Sequence, residues 1–159
     1  FLILEGAQSG LSWRTILNKR GGYREAFADF DVLLISKFTS SYLEYLIENP
    51  HIVRNRLKID SVFENAKAFI QIQKEFGSFD TYVWRFVDYQ PIQGAWHTKK
   101  EVPPSQTNIS IRLSKDLKKR GFKFVGSTIM YAYMQAIGMV NDHSPECYRY
   151  GQIKALKDS

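Results

Sequence analysis

The sequence predicts an all-α protein, and three observations predict it. Apolar residues recur at three- and four-residue spacing along most of the chain. Cap residues and glycines fall where the helical patterns begin and end. No stretch alternates apolar and polar residues convincingly, and no internal repeat is visible. With 159 residues and 44% hydrophobic content, the chain can build one compact domain or two small lobes sharing a core.

Phe1 to Gln8 reads as a helix that Ser9-Gly10 breaks. Ser12 is placed to cap a second helix, which runs through Trp13, Ile16 and Leu17 to Lys19-Arg20 and is stopped by Gly21-Gly22. Tyr23, Ala26, Phe27 and Phe30 then share one helical face. The apolar stretch Val32 to Phe38 leads to Thr39-Ser40, which caps a helix carrying Tyr42, Leu43, Leu46 and Ile47. Asn49-Pro50 ends it. A long helical pattern covers Ile52 to Phe76, with Ile59, Val62, Phe63, Ala66, Phe69 and Ile70 as its core face, and Gly77 closes it. Phe79 to Val87 is a short aromatic helix. Asp88 to Asn108, polar and with three prolines, reads as a loop. Ile109 to Arg120 leads into a tight hairpin, Gly121 to Gly126, and a last helix follows from Thr128 to Val140. The tail after Asp142 reads as irregular, then lysine-rich.

Charge and composition narrow the function. The net charge of +6 suits a polyanionic partner without proving one. A single cysteine, Cys147, excludes an internal disulfide and points to a reducing, cytoplasmic compartment. No apolar run is long enough to span a bilayer, and no signal peptide is visible. The opening residues Phe1-Leu2-Ile3-Leu4 look like the middle of a buried helix, so further residues are expected upstream.

The hairpin is the strongest local signal. Lys118, Lys119, Arg120 and Lys123 crowd its turn. Gly121 can adopt the left-handed conformation that ends a helix. The N–H groups of Gly126, Ser127 and Thr128 open the next helix, where unpaired donors and the helix dipole favour an anion. Lysines around such donors suit a nucleic-acid phosphate. An ordinary helical hairpin with a solvated basic turn has the same local pattern.

Other residues could carry chemistry. Glu5 follows four large apolar residues and is either a helix-surface glutamate or a buried acid needing a partner or a role. In the run Arg54-Asn55-Arg56-Leu57-Lys58, Arg54 and Lys58 share a helix face, available to phosphate or simply solvated. His143 and Cys147 have the spacing of half a zinc site. A closed site within this chain would also need His51 and His97. There is no glycine-rich nucleotide loop, nucleophile elbow or HExxH motif.

Several segments together closely resemble the constitutive (type I) 3-methyladenine DNA glycosylase family. They are Leu4-Glu5-Gly6-Ala7-Gln8-Ser9-Gly10-Leu11-Ser12-Trp13, Ile52 to Ile59, Tyr82 to Val87, Lys118 to Gly126 and Gly138-Met139-Val140-Asn141-Asp142-His143. The resemblance covers nearly the whole chain in order. It implies a two-lobed helix-hairpin-helix glycosylase fold with a DNA cleft between the lobes. The whole of 1–159 would be one catalytic domain, with the helix-hairpin-helix element at about 113–138. By the same resemblance Glu5 is the base-recognition and catalytic glutamate and Trp13 the stacking tryptophan. Gln8, Gly10 and Leu11 belong to the loop that enters the duplex. Lys118, Gly121, Lys123, Gly126 and Ser127 would bind the DNA backbone. His143 and Cys147 would be two ligands of a structural zinc, whose other ligands and some pocket-lining tyrosines would lie upstream of Phe1. No aspartate base is assigned to Asp142. Thr128 stands where bifunctional relatives carry a Schiff-base lysine, so lyase chemistry is not expected. The implied activity is hydrolysis of the N-glycosidic bond of 3-methyladenine in alkylated double-stranded DNA by a monomer. The alternative is a non-catalytic DNA-binding module using the same hairpin.

Overall fold

The structure is a computed structural model that describes residues 1–94 and 102–155. Helices dominate it: α1 (Leu2–Gln8), α2 (Trp13–Asn18), α3 (Arg20–Ala26), α4 (Val32–Ile35), α5 (Ser40–Glu48), α6 (Arg56–Phe76), α7 (Phe79–Trp84), α8 (Asn108–Lys119), α9 (Ser127–Ala136) and α10 (Tyr148–Ala155). The expected all-α class holds.

Two cores divide the chain, and α6 serves both. Its first half contributes Ile59, Val62, Phe63 and Ala66 to a lobe built on α1 to α5, with Leu4, Ile16, Phe27, Ile35 and Leu46 buried there. Its second half contributes Ala68 and Ile72 to a lobe with Tyr82, Leu113, Leu117, Phe122, Val125, Met130 and Met134. Phe69 carries this second core across to α7 by stacking on Phe79, ring centroids 4.1 Å apart. A helix 21 residues long spans both lobes because its apolar positions recur along its whole length.

Caps set most boundaries where the sequence places them. Ser12, Thr39 and Ser78 each accept a backbone N–H three residues on. Thr107 and Ser110 form a reciprocal capping box at the start of α8. Gly77 ends α6 at φ +82°.

Five expectations need correction. The Gly21-Gly22 pair does not stop a helix but lies inside α3. Gly22 is needed there for contact: a Cβ would stand 2.3 Å from the His51 carbonyl oxygen. The long helix starts at Arg56 rather than Ile52, because Asn55 caps it by accepting the Lys58 N–H at 3.1 Å. Phe79 to Val87 is not one helix, since its last turn, Arg85–Val87, tightens into a 3-10 turn. The loop and the final helix yield a short parallel pair, β1 (Ile92–Gln93) with β2 (Val140–Asn141). Two residues per strand are too few for an alternation to be read. The tail is not irregular throughout, since α10 occupies part of it. The rest of the predicted loop, 95–101, lies outside the described residues.

Candidate functional site

Glu5 lies at the end of the first turn of the seven-residue helix α1 and is 2% exposed. Its Oε2 is buried without a hydrogen-bond partner. Burial pushes its carboxyl up to about 7. The surface-glutamate alternative is therefore excluded, and among the described residues no ion pair neutralises the acid. A buried carboxylate without a partner is costly to keep, so such groups mark functional positions.

Gly6, the next residue, explains why this acid sits beside the hairpin. A Cβ there would meet Phe124 Cβ at 3.3 Å, so glycine lets α1 approach the hairpin closely. Phe124 itself adopts φ +53° at that contact. Helix α1 also packs on α9. The acid and the hairpin, more than a hundred residues apart in sequence, thus share one region.

The loop after α1 is a closed turn. Leu11 N–H donates to the Gln8 carbonyl at 2.7 Å, and Gln8 Nε2 donates to the Leu11 carbonyl at 2.6 Å. Gly10 supplies φ +76°. The turn leaves Leu11 37% exposed at its tip. Helix α1 packs against α2, which opens with Trp13, half-buried on the first lobe's core.

Lys58 holds this loop from α6. Its Nζ donates to the Ala7 carbonyl at 2.8 Å and to the Ser9 carbonyl at 2.6 Å. These are carbonyls at the C-terminal end of α1, a helix with no basic residue in its own last turn. Burial lowers the ammonium below its ordinary value. Neither a solvated face nor a phosphate contact describes this residue. Arg56, its neighbour in the run, pairs bidentately with Glu44 at 2.7 and 2.9 Å. The sequence showed the run of cations but not their partners.

The hairpin is anchored from α6 as well. Asn65 accepts the Lys123 N–H at 2.7 Å and donates to the Lys123 carbonyl at 3.0 Å. Ser114 donates to the Val125 carbonyl at 2.6 Å. Gly121 takes φ +94° and Gly126 precedes α9 as its N-cap. Lys118, Lys119 and Lys123 are exposed around this turn. Arg120 is not with them. It bonds Asp116 at 2.9 Å and Glu75 at 2.6 and 3.1 Å, with its guanidinium over Phe76 and Tyr82. The Ser127 hydroxyl donates to Gln106, which leaves its N–H as the group at the helix start.

A 45% identical relative, DNA-3-methyladenine glycosylase 1 of Escherichia coli, aligns over 94% of this chain and 79% of its own length. DNA-3-methyladenine glycosylase of Haemophilus influenzae is 42% identical over 92% of this chain and 78% of its own. A sequence model described as methyladenine glycosylase matches residues 1–150. The chain belongs to the methyladenine glycosylase family. A crystal structure of a variant 3-methyladenine DNA glycosylase I in complex with 3-methyladenine superposes with a TM-score of 0.89 at 32% identity, covering 92% of this chain and 78% of that one.

In this family member the C-terminal residues divide into two groups. Asp142 accepts hydrogen bonds from Tyr131 at 2.5 Å and Gln135 at 2.7 Å, which tie it to α9. His143 Nδ1 and Cys147 Sγ stand 3.5 Å apart. Bond lengths of about 2.3 and 2.0 Å to a tetrahedral zinc imply an edge of about 3.5 Å, so the separation of these two donors fits such an ion. No third His, Cys, Asp or Glu joins them among the described residues. His97 lies outside those residues.

Proposed function

We infer that this chain is a monofunctional DNA repair glycosylase that hydrolyses the N-glycosidic bond of 3-methyladenine and leaves an abasic site. One observation carries the reading beyond family membership: Glu5 is buried and unpaired beside a DNA-type hairpin. A module that only bound DNA would have no use for that acid.

The chemistry follows from the substrate's charge. Methylation at N3 makes the base cationic and weakens its bond to the sugar. Extrusion from the stack costs about a few kcal/mol, less for a damaged base. The Leu11 loop holds the opened duplex. Trp13 offers an indole face, worth about 2 kcal/mol to a desolvated cation. Glu5, poised near 7, ionises more completely as the cation arrives and accepts hydrogen bonds from its amino edge. Water attacks the anomeric carbon, the carbon–nitrogen bond breaks, and its electrons neutralise the departing ring. The attacking water loses its proton to solvent. Lys118, Lys123 and the donors at Gly121, Gly126 and Ser127 take the backbone phosphates.

The partner is alkylated duplex DNA, bound by a monomer in the cytoplasm. No described helix is long and apolar enough to cross a membrane. His143 and Cys147 form half of a structural zinc site completed by ligands outside the described residues. The zinc would pin the polypeptide near α10 and takes no part in bond cleavage. Metal analysis should find zinc whose occupancy falls in His143→Ala and in Cys147→Ser. No zinc in the wild-type protein, or unchanged occupancy in both variants, removes this assignment.

The deciding experiment incubates the protein with methylated duplex and separates free bases from polymer. Release of 3-methyladenine with intact DNA strands supports the reading. Binding without base release selects the non-catalytic module instead.

A further inference from the structure

Between α8 and the Arg85–Val87 turn lies an open groove lined by Arg85, Phe86, Arg112, Lys115, Asp116 and Lys119. Its one carboxylate is already satisfied. Asp116 Oδ2 accepts from the Tyr82 hydroxyl at 2.7 Å, Arg120 at 2.9 Å and Arg85 at 3.4 Å. Burial alone would raise this carboxyl, but the Tyr82 and Arg120 hydrogen bonds outweigh it and hold it below the ordinary value. Arg85 and Arg120 balance Asp116 and Glu75, so these four groups are neutral together.

Arg112, Lys115 and Lys119 remain. All three are exposed, and none has an ion-pair partner among the described residues. Their i, i+3, i+7 spacing puts them on one face of α8. They span roughly 10 Å of helix axis. DNA phosphates follow each other at about 3.4 Å per strand along the duplex axis. Lys119 adjoins the hairpin, so the positive track continues directly from Lys118 and Lys123.

A solvated face would explain three exposed cations. It does not explain Arg85. Its guanidinium is fixed over the rings of Phe76, Tyr82 and Phe86, at 4.4, 4.8 and 5.1 Å, while remaining 35% exposed in the same groove. Its one contact to Asp116 is long, at 3.4 Å, and that carboxylate is shared with Tyr82 and Arg120, so the immobilised guanidinium keeps donors for a phosphate.

We propose that Arg85 and the Arg112–Lys115–Lys119 face of α8 form a second DNA-backbone site, which takes phosphates flanking those held by the hairpin. The site rests on the DNA reading above and extends its footprint along α8.

The test is the salt dependence of binding to an undamaged duplex. The Arg112→Gln/Lys115→Gln double variant should bind more weakly, with a log–log salt slope shallower by about two units. Its release of 3-methyladenine at saturating substrate should equal wild type. If the double variant is misfolded by circular dichroism, Lys115→Met is measured instead, with about one unit expected. A wild-type slope in a folded variant overturns the inference, whether the face is merely solvated or serves another partner. Failure of the wild-type protein to release base would overturn the enzymatic reading while leaving the slope measurement intact.

Discussion

The Lys58 ammonium donates to the Ser9 carbonyl at 2.6 Å, across 49 residues of sequence. With its second bond to Ala7, it closes the end of the helix that carries Glu5 and fixes the loop that carries Leu11. Lys58→Met keeps the aliphatic stem but strands both carbonyls. Thermal or urea unfolding should show a loss of about 1–3 kcal/mol. Excision should slow as well, and Lys58→Arg should restore part of both. Wild-type stability and rate in Lys58→Met would show that the loop holds itself.

Glu5 makes stability and activity depend on pH in opposite senses. Its folded value of about 7 lies above the ordinary 4.5. Between those values the folded state holds more protons than the unfolded chain, so stability falls as pH rises through the window. The loss approaches about 3 kcal/mol above pH 7. Glu5→Gln should abolish that slope and stabilise the protein at pH 8. In wild type, kcat/KM for excision should rise with pH through about 7, as the carboxylate that receives the cation forms. Glu5→Gln should lose both that limb and most of the rate. A pH-independent wild-type profile over pH 5–8 would exclude Glu5 from base recognition.

Trp13 contributes a ring rather than a charge. Trp13→Ala should reduce excision about thirtyfold, the equivalent of about 2 kcal/mol of lost cation–π attraction. A neutral base should suffer less than a cationic one, which competition by free adenine and free 3-methyladenine can measure. Equal losses for both would mean that the indole only fills space.

Lys123 and Asn65 test the hairpin from its two sides. Lys123→Ala should flatten the salt slope of duplex binding by about one unit without changing stability. Asn65→Ala removes the pair of bonds that holds the Lys123 backbone. It should lower stability by about 1 kcal/mol, since water can replace the lost partners at this exposed position, and weaken DNA binding too. Unchanged binding in both variants at low salt would mean that the hairpin is not the phosphate clamp.

The all-α class, the caps at Ser12 and Thr39, and the Gly121–Gly126 turn were legible in the sequence, because each depends on residues within a few positions of one another. Helical periodicity and side-chain capping are local, so pattern alone carries them. Three features were decided only by the packed structure. The hairpin's close approach to Gly6, beside the buried Glu5, joins segments far apart in sequence. Arg120 leaves the basic turn because Glu75 and Asp116, on two different helices, face it together. Lys58 turns inward because α6 crosses the end of α1. A cation in a sequence has no fixed partner. Its role is set by which carbonyls and carboxylates the fold brings within hydrogen-bond reach, and burial then makes any choice but pairing costly.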